Sequence, residues 1–266
     1  SQLRLAACGR HSAAQQNRKG RCEVALEDGQ FAFLSQGHMA VGTQQAQEEY
    51  RYPSGLYEGI ELFLDLDLLA HRPYPLFQEG EVSLEGIMEH LHTSRRLYLG
   101  PTPACVQTLL DNLWQFRDSE EVGLLKLLSA QLLWKVERQS LETSPAVRYF
   151  TSSQVAIARE IQNILCADLS QNHTARELAD RFQVAETSLK NYFRGVFGEN
   201  LSTFLREARM RRAAELLQSS ELRVAEIAAQ VGYENQSKFA AVFVRRFGCP
   251  PLEYRRRARL SIADDD

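Results

Sequence analysis

The sequence predicts an α+β chain: a small β domain with a helical hairpin in the N-terminal half, then an all-α C-terminal domain carrying two helix-turn-helix units. Three observations predict it. Short β-like runs broken by turn residues precede Pro73, two long amphipathic helix patterns lie between residues 101 and 138, and a stretch of the last hundred residues repeats itself. A length of 266 residues suits two domains, each able to bury its own core. The expected division is 1–142, a linker over 143–153, and 154–260.

The β-like runs are Cys22 to Leu26, Gln30 to Leu34, Met39 to Gly42 and Gly59 to Leu66. Within the last, Glu61-Leu62-Phe63-Leu64-Asp65-Leu66-Asp67 alternates partly in and out, as a half-buried strand does. His71-Arg72-Pro73-Tyr74-Pro75 ends this region, because two prolines in three residues continue neither a ladder nor a helix. These turn-rich runs read as a small β domain. Short helices are expected around Val82 to Leu91.

Apolar residues then recur at Val106, Leu109, Leu110 and Leu113, and again at Leu124, Leu125, Leu128 and Leu132. This spacing predicts helices over Pro101 to Phe116 and Glu120 to Arg138, antiparallel because the connection is short. The second adds Leu127, Leu133, Trp134 and Val136. That surplus either packs on the β domain or, through residues 101–138, forms a homodimer contact. Pro145 and a cluster of Ser and Thr between Thr143 and Ser153 mark the linker.

The repeat emerges when Thr174 to Gly198 is laid on Arg223 to Gly248. Glu177-Leu178-Ala179 matches Glu226-Ile227-Ala228 at an offset of 49, whereas Leu189, Phe193, Phe197 and Gly198 match Phe239, Phe243, Phe247 and Gly248 at an offset of 50. One residue has been inserted in the second turn. Each copy reads as a short helix, a turn, and a second amphipathic helix closed by Gly, which is the sequence form of a helix-turn-helix. Asn235 is placed to cap the second copy's latter helix. Leu201 to Gln218 forms the helix between the copies, with Phe204, Leu205, Ala208, Leu216 and Leu217 inward and Arg206, Arg209 and Arg212 open to solvent or phosphate.

The charge distribution says which half meets a polyanion. Residues 1–150 carry 14 Lys and Arg against 19 Asp and Glu, whereas residues 151–260 carry 17 against 12. The net charge of -3 conceals this division. A basic half joined to an acidic half fits a double-stranded DNA-binding module attached to a separate sensing module.

Helical geometry buries Leu189, Phe193, Val196 and Phe197 on the first reading helix and turns Thr187, Lys190, Asn191 and Arg194 outward as base-contacting candidates. Asn suits adenine, Lys and Arg suit guanine or phosphate, and Thr can touch either a base edge or a thymine methyl. The second reading helix differs. With Phe239, Phe243 and Arg246 on its inner side, its outward face is Ser237, Ala240, Ala241 and Val244, nearly without hydrogen-bonding groups. Gln236 and Ser237 are its base-contacting candidates, and Lys238, Arg245, Arg255, Arg256 and Arg257 are its phosphate-contacting candidates.

From about Val155 to Arg257 the chain resembles the AraC/XylS family. The resemblance lies in LxxxFxxxFG over Leu189 to Gly198, Arg209-Met210-Arg211-Arg212-Ala213-Ala214-Glu215-Leu216-Leu217, Ile227-Ala228-Ala229-Gln230-Val231-Gly232-Tyr233, and Phe247-Gly248-Cys249-Pro250-Pro251-Leu252-Glu253-Tyr254-Arg255. It implies a bacterial transcription regulator, commonly an activator. It further implies a DNA-binding domain of seven helices with two helix-turn-helix units, an N-terminal effector or dimerisation domain, usually a cupin-like sensor with which the turn-rich β runs before Pro73 are compatible, and RNA polymerase as a partner. Positions matching Thr187, Lys190 and Asn191 contact bases in the family. Where members often carry Arg near position 241, this chain has Ala, which implies weak base readout by the second unit.

Other functions lack their residues. Five cysteines at 8, 22, 105, 166 and 249 show no CxxC spacing, so neither a disulfide framework nor a zinc site is expected. The histidines are scattered, and His90 and His92 read as a solvated pair rather than metal ligands. Without a phosphate-binding loop or a nucleophile motif, no enzyme, catalytic residue, metal or cofactor is expected. No apolar run reaches the roughly 18 residues of a membrane span, and Ser1-Gln2-Leu3-Arg4 lacks a signal peptide's apolar core. A soluble cytoplasmic protein is therefore expected. Composition does not identify the effector.

Overall fold

The computed structural model describes residues 11–26, 28–44, 51–53, 55, 57–65, 71, 75–79, 81–83, 86, 97–139, 141 and 147–263. The chain divides into two compact units, Ser1–Thr151 and Ser152–Asp266.

The first unit holds two antiparallel sheets. One orders its strands β5(Tyr57–Asp65), β1(His11–Gly20), β4(His38–Gln44), β6(Leu97–Pro101), and the other orders β2(Cys22–Ala25), β3(Gln30–Leu34), β7(Phe150–Thr151). Alternation along the strands gives the first sheet two apolar faces. Met39, Val41, Ile60, Leu62 and Tyr98 pack on the helices α2(Ala104–Gln115) and α3(Val122–Glu137), while Ala40, Leu97 and Leu99 join Cys22, Val24, Ala32 and Leu34 in a second cluster. A short helix α1(Pro75–Glu79) precedes β6. The β domain is thus a two-sheet layer with a helical hairpin covering one side.

Several expectations meet differences here. The four anticipated strands are present, and β1, β6 and β7 add to them. Inside the span expected as a linker, Phe150–Thr151 pair with β3 and a helix begins at Ser152, because Phe150 is buried and stacks edge-on against Phe33 at 5.9 Å. Residues 142–146 lie outside the described residues, as do His90, His92 and nearly all of the span expected to hold short helices near Val82 to Leu91. Leu132, Leu133 and Val136 are buried in the hairpin's own core, whereas Leu127 and Trp134 of the expected surplus are exposed on α3, as is Val122 at its start.

Among its described residues the second unit contains seven helices: α4(Ser152–Ala167), α5(Ala175–Arg181), α6(Glu186–Phe197), α7(Leu201–Ser219), α8(Val224–Gln230), α9(Gln236–Phe247) and α10(Pro251–Ala263). The repeat reaches farther than Gly198 and Gly248. Phe193, Phe197 and Phe204 form a triad with centroid separations of 4.6, 5.3 and 5.6 Å, and Phe243, Phe247 and Tyr254, fifty residues on, form another at 4.5, 5.4 and 5.1 Å. α10 is therefore to the second unit what the start of α7 is to the first. The end of α7 has a further job: Met210, Ala213, Leu216 and Leu217 enter the second core beside Val224, Ile227, Phe239 and Phe243. One helix belongs to both units.

Candidate nucleic-acid interface

Each helix-turn-helix is set up by local chemistry. Thr174 caps α5 by accepting from the Glu177 N–H at 3.2 Å, while the Glu177 carboxylate accepts from the Thr174 N–H at 2.9 Å. Hydrogen bonding from the Thr174 N–H, and then from its hydroxyl, holds the exposed Glu177 carboxyl below its ordinary pKa. Glu226 repeats the carboxylate half of this device, accepting from the Arg223 N–H at 2.7 Å, and is lowered by hydrogen bonds from Arg223. The inserted residue of the second turn is Glu234: α6 starts from Ala185 without a side-chain cap, whereas α9 starts from Asn235, whose Oδ1 accepts from the Lys238 N–H at 3.0 Å. Both reading helices end at a left-handed Gly, Gly198 at φ 82° and Gly248 at φ 76°.

On α6 the expected partition is present. Leu189, Phe193 and Val196 are wholly buried, and Thr187, Lys190, Asn191 and Arg194 are exposed. Lys190 is held at 2.5 Å by Glu186, one turn back, a carboxylate that residue-type reasoning passed over although its i,i+4 spacing was visible. On α9 Phe239 and Phe243 are buried, Gln236, Ser237, Lys238, Ala241, Val244 and Arg245 are exposed, and Ala240 is half-buried. Arg246, expected inward, is instead an exposed partner of Glu207 on α7 at 2.7 Å, because a guanidinium on that edge reaches a carboxylate more cheaply than a dry core.

A cleft of about 1060 Å³ opens between α6 and α9. Lys190, Arg194, Arg206, Arg209, Lys238 and Arg245 line it, against the single carboxylate of Glu234. Asn191 lines the same wall, so three of the four outward residues of α6 share one cationic groove with α9. Thr187, Gln236 and Ser237 stand outside its lining.

Two arginines expected at phosphates or solvent are engaged elsewhere. Arg255 donates through Nε to the Leu217 carbonyl in the last turn of α7 at 3.3 Å and through Nη2 to the Leu222 carbonyl in the connection to α8 at 2.6 Å. Arg209 is 9% exposed and bonded to protein oxygens. Arg257 pairs with Glu253, one turn back on α10, and Arg256 is exposed. Among the described residues, no group of three or more metal-ligating side chains occurs and no helix is long and apolar enough to cross a membrane.

A family profile described as "Helix-turn-helix domain" matches residues 178–257. The HTH-type transcriptional activator RhaR of Enterobacter sp. (strain 638) is 30% identical over 143 residues, 53% of this chain and 49% of that protein. RhaR of Yersinia pestis bv. Antiqua (strain Angola) is 32% identical over 140 residues, 53% of this chain and 47% of that protein. The chain spans about half the length of the curated relatives it matches. Among solved structures, the C-terminal domain of AraT, a response regulator from Geobacillus stearothermophilus, is 33% identical with a TM-score of 0.37, covering 38% of this chain and 84% of that one.

Proposed function

We propose that the chain is a helix-turn-helix regulator of the AraC/XylS family, a sequence-specific, effector-responsive transcription activator working in the bacterial cytoplasm. One observation carries the reading: two helix-turn-helix units and the helix they share line one groove, flanked by both reading helices, with five cations besides the internally bonded Arg209. A groove of this sign draws phosphates electrostatically and leaves base edges to the side chains beside it. α7, at 19 residues, is about 28 Å long by its rise per residue, close to the roughly 34 Å between successive major grooves on one face of DNA.

Thr187, Lys190, Asn191 and Arg194 read bases in this proposal, with Gln236 and Ser237 contributing at the second site. Lys238, Arg245 and Arg256 hold phosphates. Arg257 joins them on leaving Glu253, and Arg255 acts by holding α10 in place. The two-sheet N-terminal unit serves as a cupin-like effector domain. The hairpin of α2 and α3 serves as the homodimer contact through exposed Leu127, and RNA polymerase is the partner of activation.

The test is binding of the full chain to duplexes enriched from a random pool, titrated from 50 to 200 mM salt. Affinity should fall steeply with salt, by about tenfold for every two or so phosphates neutralised. No enrichment, or affinity indifferent to salt, would overturn the assignment. For the dimer, Leu127→Glu should lower the sedimentation coefficient of a chain that remains folded, and an unchanged value removes that contact.

A further inference from the structure

Arg209 sits where α7 changes partners, between Phe204 in the first aromatic triad and Met210 in the second core. Its Nε donates to the Leu169 carbonyl at 2.8 Å, and its Nη2 donates to the Gln171 carbonyl at 3.0 Å and to Asn172 Oδ1 at 2.9 Å. All three acceptors lie in the connection from α4 to α5, ahead of the first helix-turn-helix. That connection is itself organised by Asp168, whose carboxylate accepts from the Ser170 N–H at 2.9 Å and from Gln171 Nε2 at 2.9 Å.

The other side of the guanidinium lies against the second unit. Arg209 Cζ stands 5.9 Å from the centroid of the Tyr233 ring. Gly232, in the second turn at φ 79°, approaches so closely that a Cβ there would fall 2.5 Å from Nη2 and 2.7 Å from the Leu169 carbonyl oxygen. Burial pushes the Arg209 pKa below its ordinary value. These three hydrogen-bonded acceptors are neutral, so the site spends desolvation without gaining a Coulomb partner from them. An apolar side chain would fill such a place more cheaply, and what it could not do is bind two segments that are distant in sequence.

We infer that Arg209 is a positioning residue for DNA reading: its guanidinium ties the connection before the first helix-turn-helix to the turn of the second, and so fixes the separation and tilt of α6 and α9. The inference rests on the proposed DNA-binding function for its consequence, though not for its geometry. With the tie in place, the two reading helices behave as one rigid caliper. With it cut, each unit keeps its own core and the distance between the reading helices becomes soft.

Two measurements on the full chain test this. In the first, Cys8, Cys105 and Cys166 are replaced by Ser, spin labels are placed through Thr187→Cys and Ala241→Cys, and the label separation is measured without DNA. Arg209→Met should at least double the width of the distance distribution while thermal unfolding stays cooperative. Arg209→Lys, which keeps the cation and has fewer donors in a less suitable geometry, should fall between, and it decides the matter if the Met variant does not fold. An unchanged distribution overturns the inference. In the second, unlabelled chains bind the enriched duplex with one or two base pairs inserted between its half-sites. The wild type should lose tenfold or more and Arg209→Met less than threefold, with equal affinity for the isolated first half-site. Equal spacing penalties also overturn it. A chain that enriches no duplex defeats the proposed function instead, and the label distances then decide the positioning role alone.

Discussion

Gln183 and Gly232 hold the same place in the two turns, forty-nine residues apart, and both adopt left-handed backbone, at φ 53° and 79°. A side chain in that region costs roughly 1–2 kcal/mol, and glycine there gives back part of the gain as unfolded-chain entropy. Gln183→Gly should therefore stabilise the second unit by about 0.5–1 kcal/mol. Gly232→Ala should destabilise it by about 2 kcal/mol or more, since strain adds to a Cβ meeting the Leu169 carbonyl and Arg209. Urea midpoints that shift in opposite directions at constant slope check both.

The reading helices start unequally. Ala185 leaves the first amides of α6 without the side-chain acceptor that Asn235 gives α9. Ala185→Asn should add about 1 kcal/mol and Asn235→Ala should remove about as much. Thermal unfolding in the absence of DNA measures each, and a neutral result at Ala185 would mean that the first turn already finds its acceptors in water.

Base readout should be unequal as well. α6 offers Thr187, Lys190, Asn191 and Arg194, whereas the exposed part of α9 beyond its first turn includes Ala241 and Val244. A good bidentate contact discriminates by roughly 1–3 kcal/mol. Substituting bases under α6 should weaken binding accordingly, and Asn191→Ala should flatten that preference. Bases under α9 should be tolerated apart from those read by Gln236 or by DNA shape, and equal discrimination in a base-by-base scan, persisting in Gln236→Ala, would show that α9 reads through other groups.

Acid should loosen the helix starts. The carboxyls of Glu177, Glu226 and Asp168 are all lowered by hydrogen bonds to the ionised form. A depressed folded pKa stabilises above the unfolded value, near 4 for these groups, and that stability disappears as pH falls through the folded values. The paired variant Glu177→Gln with Glu226→Gln should be less stable at neutral pH and should lose less on going from pH 5 to 3. Parallel stability profiles for variant and wild type would assign acid sensitivity to other carboxylates.

Periodicity made the reading helices legible because each buries one stripe: on α6, Leu189, Phe193 and Val196 sit at helical spacing and are all wholly buried. The strands divided by how many faces they bury. Gln30 to Leu34 is legible to its ends, but Leu97, Tyr98 and Leu99 enter two cores on opposite sides and so show no alternation of apolar with polar residues. His11–Gly20 is polar in sequence and owes its ladder to β4 and β5, partners set by long-range pairing. The groove was half legible. Its Lys190, Asn191 and Arg194 wall follows from one helix face, but the fate of Arg209 depends on a connection some forty residues away that local spacing does not reveal.

The matched triads, Phe193, Phe197 and Phe204 beside Phe243, Phe247 and Tyr254, give this domain the economy of a duplication. Since each copy is sealed by its own rings, mutations on one exposed surface need not disturb the other copy's interior. A lineage could bleach the chemistry from the second surface, leaving Ala241 and Val244, while the scaffold beneath went on holding its place along the duplex. Regulators built this way can acquire new target sites by altering one copy and letting the other serve as an anchor.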